Sequence, residues 1–111
     1  MKKGDIMSEI IHLTEESFEE KTGTGNWAID FYADWCGPCK MMAPTFEEAA
    51  GLYEGKINFA KVDIEAQRKL AVANGVMSIP TLLFYKNGTQ VDRVVGMVDK
   101  TVLAQKLEIL L

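Results

Sequence analysis

Residues 34–40 read Asp34-Trp35-Cys36-Gly37-Pro38-Cys39-Lys40, and they contain both cysteines of the 111-residue chain. A mostly apolar stretch with the pattern of a buried strand, residues 27–32, leads up to them. A helical pattern follows, and one face of it carries the side chains Met42, Phe46, Ala49 and Tyr53. The cysteines therefore lie on a strand-to-helix turn, where two thiols separated by two residues can share one helical turn. This position favours thiol chemistry.

Composition places the chain among ordinary globular proteins. Hydrophobic residues make up 48% of the sequence and charged residues 25%, which is enough to fill one core and does not predict disorder. The net charge of -4 argues against general binding to nucleic acid or anionic membranes. No apolar run approaches the ~20 residues that span a bilayer, and residues 1–7 lack the apolar segment of a secretion signal. We expect a cytoplasmic monomer with an N-terminal extension, residues 1–8, and a single domain, residues 9–111.

Turn and cap signals divide the chain into five strands and four helices. Asn87-Gly88 is a strong hairpin signal, and Asp99 is expected to cap the last helix. Thr14 is expected to cap the first helix, with Glu15 and Glu16 near its positive end. The strands are predicted at 10–13, 27–32, 57–63, 80–86 and 89–95. The helices are predicted after Thr14, at 40–53 with an N-terminus that reaches back to Cys36, at 63–74, and after Asp99.

The resulting element order is β-α-β-α-β-α-β-β-α. Strands that alternate with helices pair in parallel, and a terminal hairpin adds an antiparallel pair. The apolar strand at 27–32 is expected to be buried on both faces. The sequence therefore predicts an α/β fold, with a central mixed five-stranded sheet flanked by four helices.

The two cysteines are predicted to have unequal roles. Cys36 would lie at the helix N-terminus, where unpaired N–H groups and the helix dipole favour the thiolate, which is the attacking species in disulfide exchange. Cys39, one turn inside and more buried, would resolve the mixed disulfide. Gly37 would permit a tight turn, Pro38 would fix φ in the first helical turn, and the two together would tune the redox potential. These features favour a dithiol redox site.

Three other uses of the cysteines remain open at this point. Half of a structural zinc site would need two further ligands, and beyond carboxylates only His12 offers one. A hydrolase with a Cys-His pair would also have to use His12, on the first predicted strand. Two ordinary core cysteines are the third possibility, although core residues rarely need Gly-Pro between them. The chain has no G-x-G-x-x-G phosphate loop, so no bound nucleotide cofactor is expected.

The sequence around the cysteines resembles the thioredoxin family. The similarity begins near Ile10 and continues in order through the rest of the chain. It is carried by residues 30–40, Pro44, residues 76–81, Lys86-Asn87-Gly88 and Val95-Gly96. The resemblance implies the thioredoxin fold and a thiol-disulfide oxidoreductase. Tyr32 departs from the pattern, because the best-known relatives carry a second Trp there.

The resemblance also implies a proton acceptor behind the second cysteine. Asp30 matches the family's buried Asp, which is thought to take the proton of Cys39 through a water. Burial in an apolar strand should raise the pKa of this carboxyl group, which suits a proton acceptor near neutral pH. Lys61 matches the family's lysine near that Asp. Without the family, an exposed strand-end Asp and a surface lysine would be the alternatives.

A target-binding groove beside the first cysteine is implied in the same way. Pro80 matches the proline whose cis peptide bond faces the disulfide, and the Ile79–Pro80 backbone would pair with an extended segment of the target. Trp35, Ile79 and Gly96 would form an apolar rim around Cys36. Core packing is the alternative for Trp35, because a large aromatic side chain is usually buried.

By resemblance, the chain is a general protein-disulfide reductase that takes part in cell redox homeostasis. Disulfide-containing proteins would be its targets, and a thioredoxin reductase, supplied by NADPH or another donor, would reduce the oxidised pair. No cofactor would bind the chain itself. A disulfide oxidant or isomerase is one alternative, although such relatives usually carry other residues between the cysteines. A binding module that uses the same rim without turnover is an alternative from another class.

Overall fold

The computed structural model describes residues 10–111. This part of the chain contains five strands: β1 Ile10–His12, β2 Asn26–Tyr32, β3 Asn58–Asp63, β4 Thr81–Lys86 and β5 Thr89–Val95. It contains four helices: α1 Phe18–Thr22, α2 Gly37–Leu52, α3 Arg68–Ala73 and α4 Lys100–Leu110. The predicted element order is confirmed, and the strands agree with their predicted bounds to within one residue at each end. The predicted extension, residues 1–8, lies outside the described residues.

The strands form one mixed sheet in the order β1-β3-β2-β4-β5. The central strand β2 is parallel to β3 and antiparallel to β4. Their register places Asp30 of β2 between Lys61 of β3 and Leu82 of β4. The hairpin adds β5 as an antiparallel edge strand. The predicted α/β fold, a mixed five-stranded sheet with four helices, is confirmed.

Helices cover both faces of the sheet. One buried cluster joins strand residues to α2 and α4, and its members include Ala28, Phe46, Phe59, Phe84 and Leu107. A second cluster joins the alternate strand residues to α1 and α3, and its members include Phe18, Trp27, Phe31, Leu70 and Leu83. Successive side chains of a strand point to opposite faces, so β2 contributes to both clusters. All residues from 27 to 31 are buried, as expected for a strand covered on both faces.

Two helices begin later than the sequence predicts. Thr14 does not cap α1, because its Oγ1 accepts a hydrogen bond from the Ser17 N–H (3.2 Å) in a turn that precedes the helix. The helix predicted from Asp63 begins instead at Arg68. The Asp63 carboxylate accepts a hydrogen bond from the Glu65 N–H (2.9 Å), which holds a turn where the helix was expected.

The turns before α1 and α3 are joined to each other. The Gln67 side-chain oxygen accepts a hydrogen bond from the Glu15 N–H (2.9 Å), and the Glu15 carboxylate accepts one from the Lys69 N–H (3.1 Å). Glu15 therefore satisfies an N–H in the first turn of α3, whereas the sequence assigned it to α1. Contacts between segments more than fifty residues apart thus join the two turns from which the helices start.

The later part of the chain follows its local signals closely. Asn87 and Gly88 have positive φ angles of 49° and 85°, as a two-residue hairpin turn of the primed type requires. Asp99 caps α4, and its side chain accepts a hydrogen bond from the Val102 N–H (2.9 Å). Among residues 10–111, no helix is long and apolar enough to cross a membrane.

Candidate redox site

Cys36 and Cys39 form a disulfide at the start of α2, with Cα atoms 5.3 Å apart. Cys36 is the N-cap residue and has an extended backbone, with ψ at 110°, whereas Cys39 lies in the first helical turn. The Cys36 Sγ accepts a hydrogen bond from the Cys39 N–H at 3.2 Å. When the disulfide is reduced, this N–H and the positive end of the helix dipole favour a thiolate on Cys36.

The two residues between the cysteines differ in how well the structure explains them. Pro38 lies at the start of α2, where a missing N–H costs no helical hydrogen bond, as predicted. Gly37 has no positive φ, and a Cβ built there would meet no atom of residues 10–111 within 4 Å. The turn at Gly37 therefore does not use a backbone conformation that favours glycine. The effect of Gly37 is to leave open space beside the disulfide.

Burial does not distinguish the two cysteine residues. Each cysteine is 4% exposed, so the prediction that Cys39 is the more buried one is wrong. Both pack with Ala33 and with the half-buried side chains of Tyr32, Ile64 and Ile79. The cysteines differ instead in their helical positions and in the groups beside each of them, which we call the Cys39 side and the Cys36 side.

The Cys39 side contains a surface pocket and a cation. The pocket has a volume of about 120 Å³ and is lined by Tyr32, Ala33, Asp34, Cys39, Lys40, Ala43 and Lys61. The Lys61 Nζ lies 4.9 Å from the centroid of the Tyr32 ring, within cation–π range. Tyr32 thus helps to hold the lysine beside this pocket, which opens the Cys39 side to solvent.

Asp30 is a buried carboxyl group in the central strand. It is 1% exposed, and neither of its oxygens has a hydrogen-bond partner among the described residues. Burial raises the pKa of Asp30 from 3.8 to about 6, although the Lys61 ammonium on the neighbouring strand acts in the opposite direction. The direction of this shift agrees with the sequence prediction, and the alternative of an exposed strand-end Asp is excluded. A carboxyl group of this kind can exchange a proton near neutral pH.

The Cys36 side is built largely from backbone groups. The carbonyl oxygen of Ile79 lies 4.0 Å from the Cys36 Sγ, and the Ile79–Pro80 peptide bond is cis. The Gly96 N–H donates a hydrogen bond to the Pro80 carbonyl (2.8 Å). Gly96 has a φ of 95°, which favours glycine. The structure thus places the Ile79 backbone beside Cys36 and joins Gly96 to the neighbouring Pro80.

Trp35 completes the Cys36 side. It is 64% exposed, so the alternative of core packing is wrong. Its Nε1–H donates a hydrogen bond of 2.6 Å to the Glu65 carboxylate, which orients the indole on the surface. Sequence reasoning missed Glu65, whose only local signal is its place in the turn after Asp63. The contact joins residues 30 positions apart, and no local pattern encodes it.

His12 does not join the cysteines. It is exposed on the edge strand β1, and β3 separates that strand from β2. Within residues 10–111, no three His, Cys, Asp or Glu side chains lie close enough together to hold a metal ion. The Cys-His and zinc interpretations therefore lack the partners they need in the described part of the chain.

The model of the thioredoxin family matches residues 9–109. The chain belongs to the thioredoxin family. The thioredoxin of Staphylococcus saprophyticus is 46% identical over 99 residues, which cover 89% of this chain and 95% of that protein. The thioredoxin of Staphylococcus aureus matches with the same identity and coverage.

Solved thioredoxin structures superimpose on the whole domain. The thioredoxin of Malassezia sympodialis (Mala s 13) has a TM-score of 0.86 and 35% identity, and the match covers 93% of this chain and 91% of that one. A mutant thioredoxin from Halobacterium salinarum has a TM-score of 0.84 and 35% identity, with coverages of 92% and 90%. The mixed sheet and its four helices are therefore the thioredoxin fold.

Membership of the family, together with the Cys36–Cys39 disulfide, makes this protein a thiol-disulfide oxidoreductase. It reduces protein disulfides and takes part in redox homeostasis, and a thioredoxin reductase returns its disulfide to the dithiol. The cysteine pair itself carries the two electrons, so this thioredoxin-family reaction uses no bound cofactor. Its partners are, in general terms, a reductase and disulfide-containing proteins.

Proposed function

We propose that Cys36 is the nucleophile of this protein-disulfide reductase and that Cys39 is the resolving cysteine. The N-cap position of Cys36 carries this assignment, because its sulfur already accepts the Cys39 N–H at 3.2 Å. The same donor and the helix dipole stabilise negative charge on Cys36 after reduction. The Cys39 sulfur lies one turn inside and receives less of this stabilisation, so it keeps its proton longer.

The reaction proceeds by two thiol-disulfide exchanges. The Cys36 thiolate attacks one target sulfur, a Cys36–target disulfide forms, the target S–S bond breaks, and the departing target thiolate takes a proton from solvent. Cys39 then loses its proton, and its thiolate attacks the Cys36 sulfur. The Cys36–Cys39 disulfide forms and the second target thiolate leaves and is protonated. Two electrons and two protons have then passed to the target.

Asp30 accepts the Cys39 proton in the second exchange, and Lys61 tunes it. Two observations support these roles. The pKa of Asp30 is about 6, so the carboxyl group is mostly ionised at neutral pH yet binds a proton more readily than an exposed Asp does. Lys61 lowers that pKa and also lines the pocket that touches Cys39. A water molecule that enters from this pocket would have to carry the proton on to Asp30, which does not itself line the pocket.

The Cys36 side binds the target as an added extended strand. The Ile79 carbonyl at 4.0 Å from the Cys36 sulfur is placed to pair with target backbone, and Pro80 has no N–H of its own to satisfy there. Gly96 has no side chain, so it leaves room for the target backbone to approach. The exposed Trp35 supplies an apolar contact. Gly37 and Pro38 tune the redox potential through the start of α2.

Residues 9–111 act as one monomeric domain in the cytoplasm. The family model spans 9–109, and both sheet faces are covered by helices of the same chain. The net charge of -4 opposes nucleic-acid binding. A single reducible cysteine pair suits catalytic use in a reducing compartment.

Trapping experiments test the two cysteine assignments. Reduction of insulin disulfides by dithiothreitol should accelerate with the wild-type protein and not with Cys36→Ser or Cys39→Ser. With an oxidised peptide target, Cys39→Ser should accumulate a mixed disulfide at Cys36, whereas Cys36→Ser should accumulate none. Mass spectrometry of the trapped species identifies the bond. Accumulation with Cys36→Ser but not with Cys39→Ser would reverse the assignment, and a wild-type protein without insulin activity would overturn the reductase role.

A further inference from the structure

The loop between α3 and β4, residues 74–80, carries the Ile79 carbonyl that lies beside Cys36. Its middle has little support of its own, since Met77 is 96% exposed. Near its C-terminal end, the Thr81 hydroxyl donates a hydrogen bond to the Ser78 carbonyl (2.7 Å), and the Gly96 N–H donates one to the Pro80 carbonyl (2.8 Å). The placement of Ile79 therefore also depends on what holds the N-terminal end of the loop.

Two backbone hydrogen bonds tie that end to α3, from the Gly75 N–H to the Val72 carbonyl (3.0 Å) and from the Val76 N–H to the Ala71 carbonyl (2.9 Å). The Arg93 side chain adds a second set of contacts there. Its Nη2 donates a hydrogen bond to the Asn74 carbonyl at 2.5 Å, and its Nη1 donates one to the Gly75 carbonyl at 3.1 Å. The Gln90 side-chain oxygen accepts from the same Nη2 at 3.1 Å and orients the guanidinium. A planar fork can bind two successive carbonyls in a way that a single ammonium cannot. The positive charge also lies at the C-terminal end of α3, where the helix dipole favours a cation.

The two carbonyls lie where the chain leaves α3. Gly75 has a φ of 67°, which turns the backbone out of the helix toward the loop. Asn74 is held independently of Arg93, because its Nδ2 donates to the Leu70 carbonyl (2.9 Å) and its Oδ1 accepts from the Tyr85 hydroxyl (2.7 Å). Loss of Arg93 would thus leave α3 and the backbone hydrogen bonds of Gly75 and Val76 in place, and it would remove the side-chain contacts to the carbonyls of residues 74 and 75.

We propose that Arg93 is a positioning residue for target binding, which holds the 74–80 loop so that the Ile79 backbone meets an incoming target at Cys36. β5 then fixes both ends of the loop, through the Arg93 side chain at residues 74–75 and through the Gly96 backbone, just beyond the strand, at Pro80. Arg93 acts on the target only through the loop, so it governs affinity for a polypeptide and not the thiol chemistry. This inference rests on the proposed pairing of the target with Ile79.

Lys86 offers a matched control on the neighbouring strand. Its Nζ donates a hydrogen bond to the Leu110 carbonyl (3.1 Å), so it too is a strand cation bound to a carbonyl at the C-terminal end of a helix. That contact joins β4 to α4, and it involves no residue of the 74–80 loop. Lys86→Ala therefore removes the same kind of charge and contact without altering the loop.

Steady-state reduction of insulin, with dithiothreitol recycling the protein, tests the proposal. Arg93→Ala should raise KM for insulin about five- to tenfold with kcat within about twofold, because one charge-assisted anchor is lost. Arg93→Lys should restore part of the affinity. The reaction of the reduced protein with DTNB, a small disulfide without a peptide backbone, should stay within about twofold of wild type for both variants. Lys86→Ala should leave KM unchanged.

Hydrogen exchange supplies a second measurement. Arg93→Ala should speed exchange of the amides of residues 76–79 and leave the amides of β2 unchanged. An unchanged KM, or an equal fall in the insulin and DTNB rates, would overturn the positioning role. If Arg93→Ala fails to fold, the proposal is tested with Arg93→Lys instead. The measurements are again its insulin and DTNB rates and the exchange of the amides of residues 76–79. If the wild type itself does not reduce insulin, the proposed function fails, which is distinct from an insensitive Arg93 in an active protein.

Discussion

The two sides of the disulfide are built from different groups. The Cys39 side has a pocket lined by charged side chains, among them Lys61, and the strand beside Lys61 carries the buried Asp30. The Cys36 side relies on backbone and an exposed indole, with the Ile79 carbonyl 4.0 Å from the sulfur and Trp35 64% exposed. This difference matches the proposed roles, in which the Cys39 side transfers the proton and the Cys36 side binds the target protein.

Asp30→Asn should produce the largest effect, on the free energy of unfolding. The pKa of Asp30 is about 6 when folded and 3.8 when exposed, so the folded protein binds this proton more tightly. Ionisation of Asp30 therefore destabilises the folded protein. The full cost applies above pH ~6, and it disappears below pH ~3.8, where the carboxyl group is protonated in both states. The difference amounts to about 3 kcal/mol. Urea denaturation should show Asp30→Asn more stable than wild type by up to that amount at pH 8, and little changed near pH 4.

Asp34→Asn is the control for this measurement. Asp34 is exposed at the end of the same segment, and its substitution should change stability by less than about 0.5 kcal/mol. If Asp30→Asn raised the free energy of unfolding by the same amount at pH 8 and at pH 4, burial of the Asp30 charge could not be the cause. The Cys39 side would then lose its distinctive dependence on pH.

Trp35→Ala should produce the next largest effect, on target binding. An exposed aromatic side chain at a binding rim is a typical anchor, so KM for insulin should rise about tenfold while the DTNB rate stays within about twofold. Stability should fall by less than about 1 kcal/mol, because most of the indole is already in water. Steady-state kinetics and urea denaturation measure the two quantities.

Trp27→Phe is the matched control for Trp35. Trp27 is 4% exposed and packs in the cluster under α1 and α3, so its substitution should lower stability and leave KM unchanged. If the two variants raise KM equally, the Cys36 side is not the target surface. That result would leave no evidence that the Cys36 side and the Cys39 side have different functions in target binding.

Lys61→Met should produce the smallest effect, within the Cys39 side. Loss of the ammonium removes the influence that lowers the Asp30 pKa, so this pKa should rise above about 6. Lys61→Arg keeps the charge and should leave the pKa near its wild-type value. A ¹³C NMR titration of the Asp30 carboxyl group gives both numbers. An unchanged pKa in Lys61→Met would show that the lysine does not act on Asp30.

Local signals in the sequence predicted much of the fold. The Asn87-Gly88 turn, the Asp99 cap and the doubly buried β2 all depend on residues within a few positions of each other. The starts of α1 and α3 were mispredicted because Thr14 and Asp63 hold turns before these helices, and Glu15 bonds to residues of the distant turn. Propensity and capping rules treat each helix alone, so they assigned this carboxylate to the nearer helix.

The candidate site, like the fold, was predictable only where neighbouring residues determine it. The cysteine pair and its helix N-terminus follow from neighbouring residues, whereas Asp30, Lys61, Pro80 and Gly96 were identified through resemblance to a family. The equal burial of the two cysteines, the Trp35–Glu65 hydrogen bond and the Arg93 contacts were not predicted. Each of them depends on how separate elements pack.

The sequence by itself determined the reactive group and its local setting: two thiols on one turn, at the start of a helix that follows a buried strand. Hydrogen bonds and side-chain alternation within a few residues fix that arrangement, so it can be read along the chain. The tertiary structure alone decided what faces each sulfur, including the Ile79 carbonyl at Cys36 and the Lys61-lined pocket at Cys39. These neighbours come from strands and loops far apart in sequence, and only the packing of the whole sheet sets the distances between them.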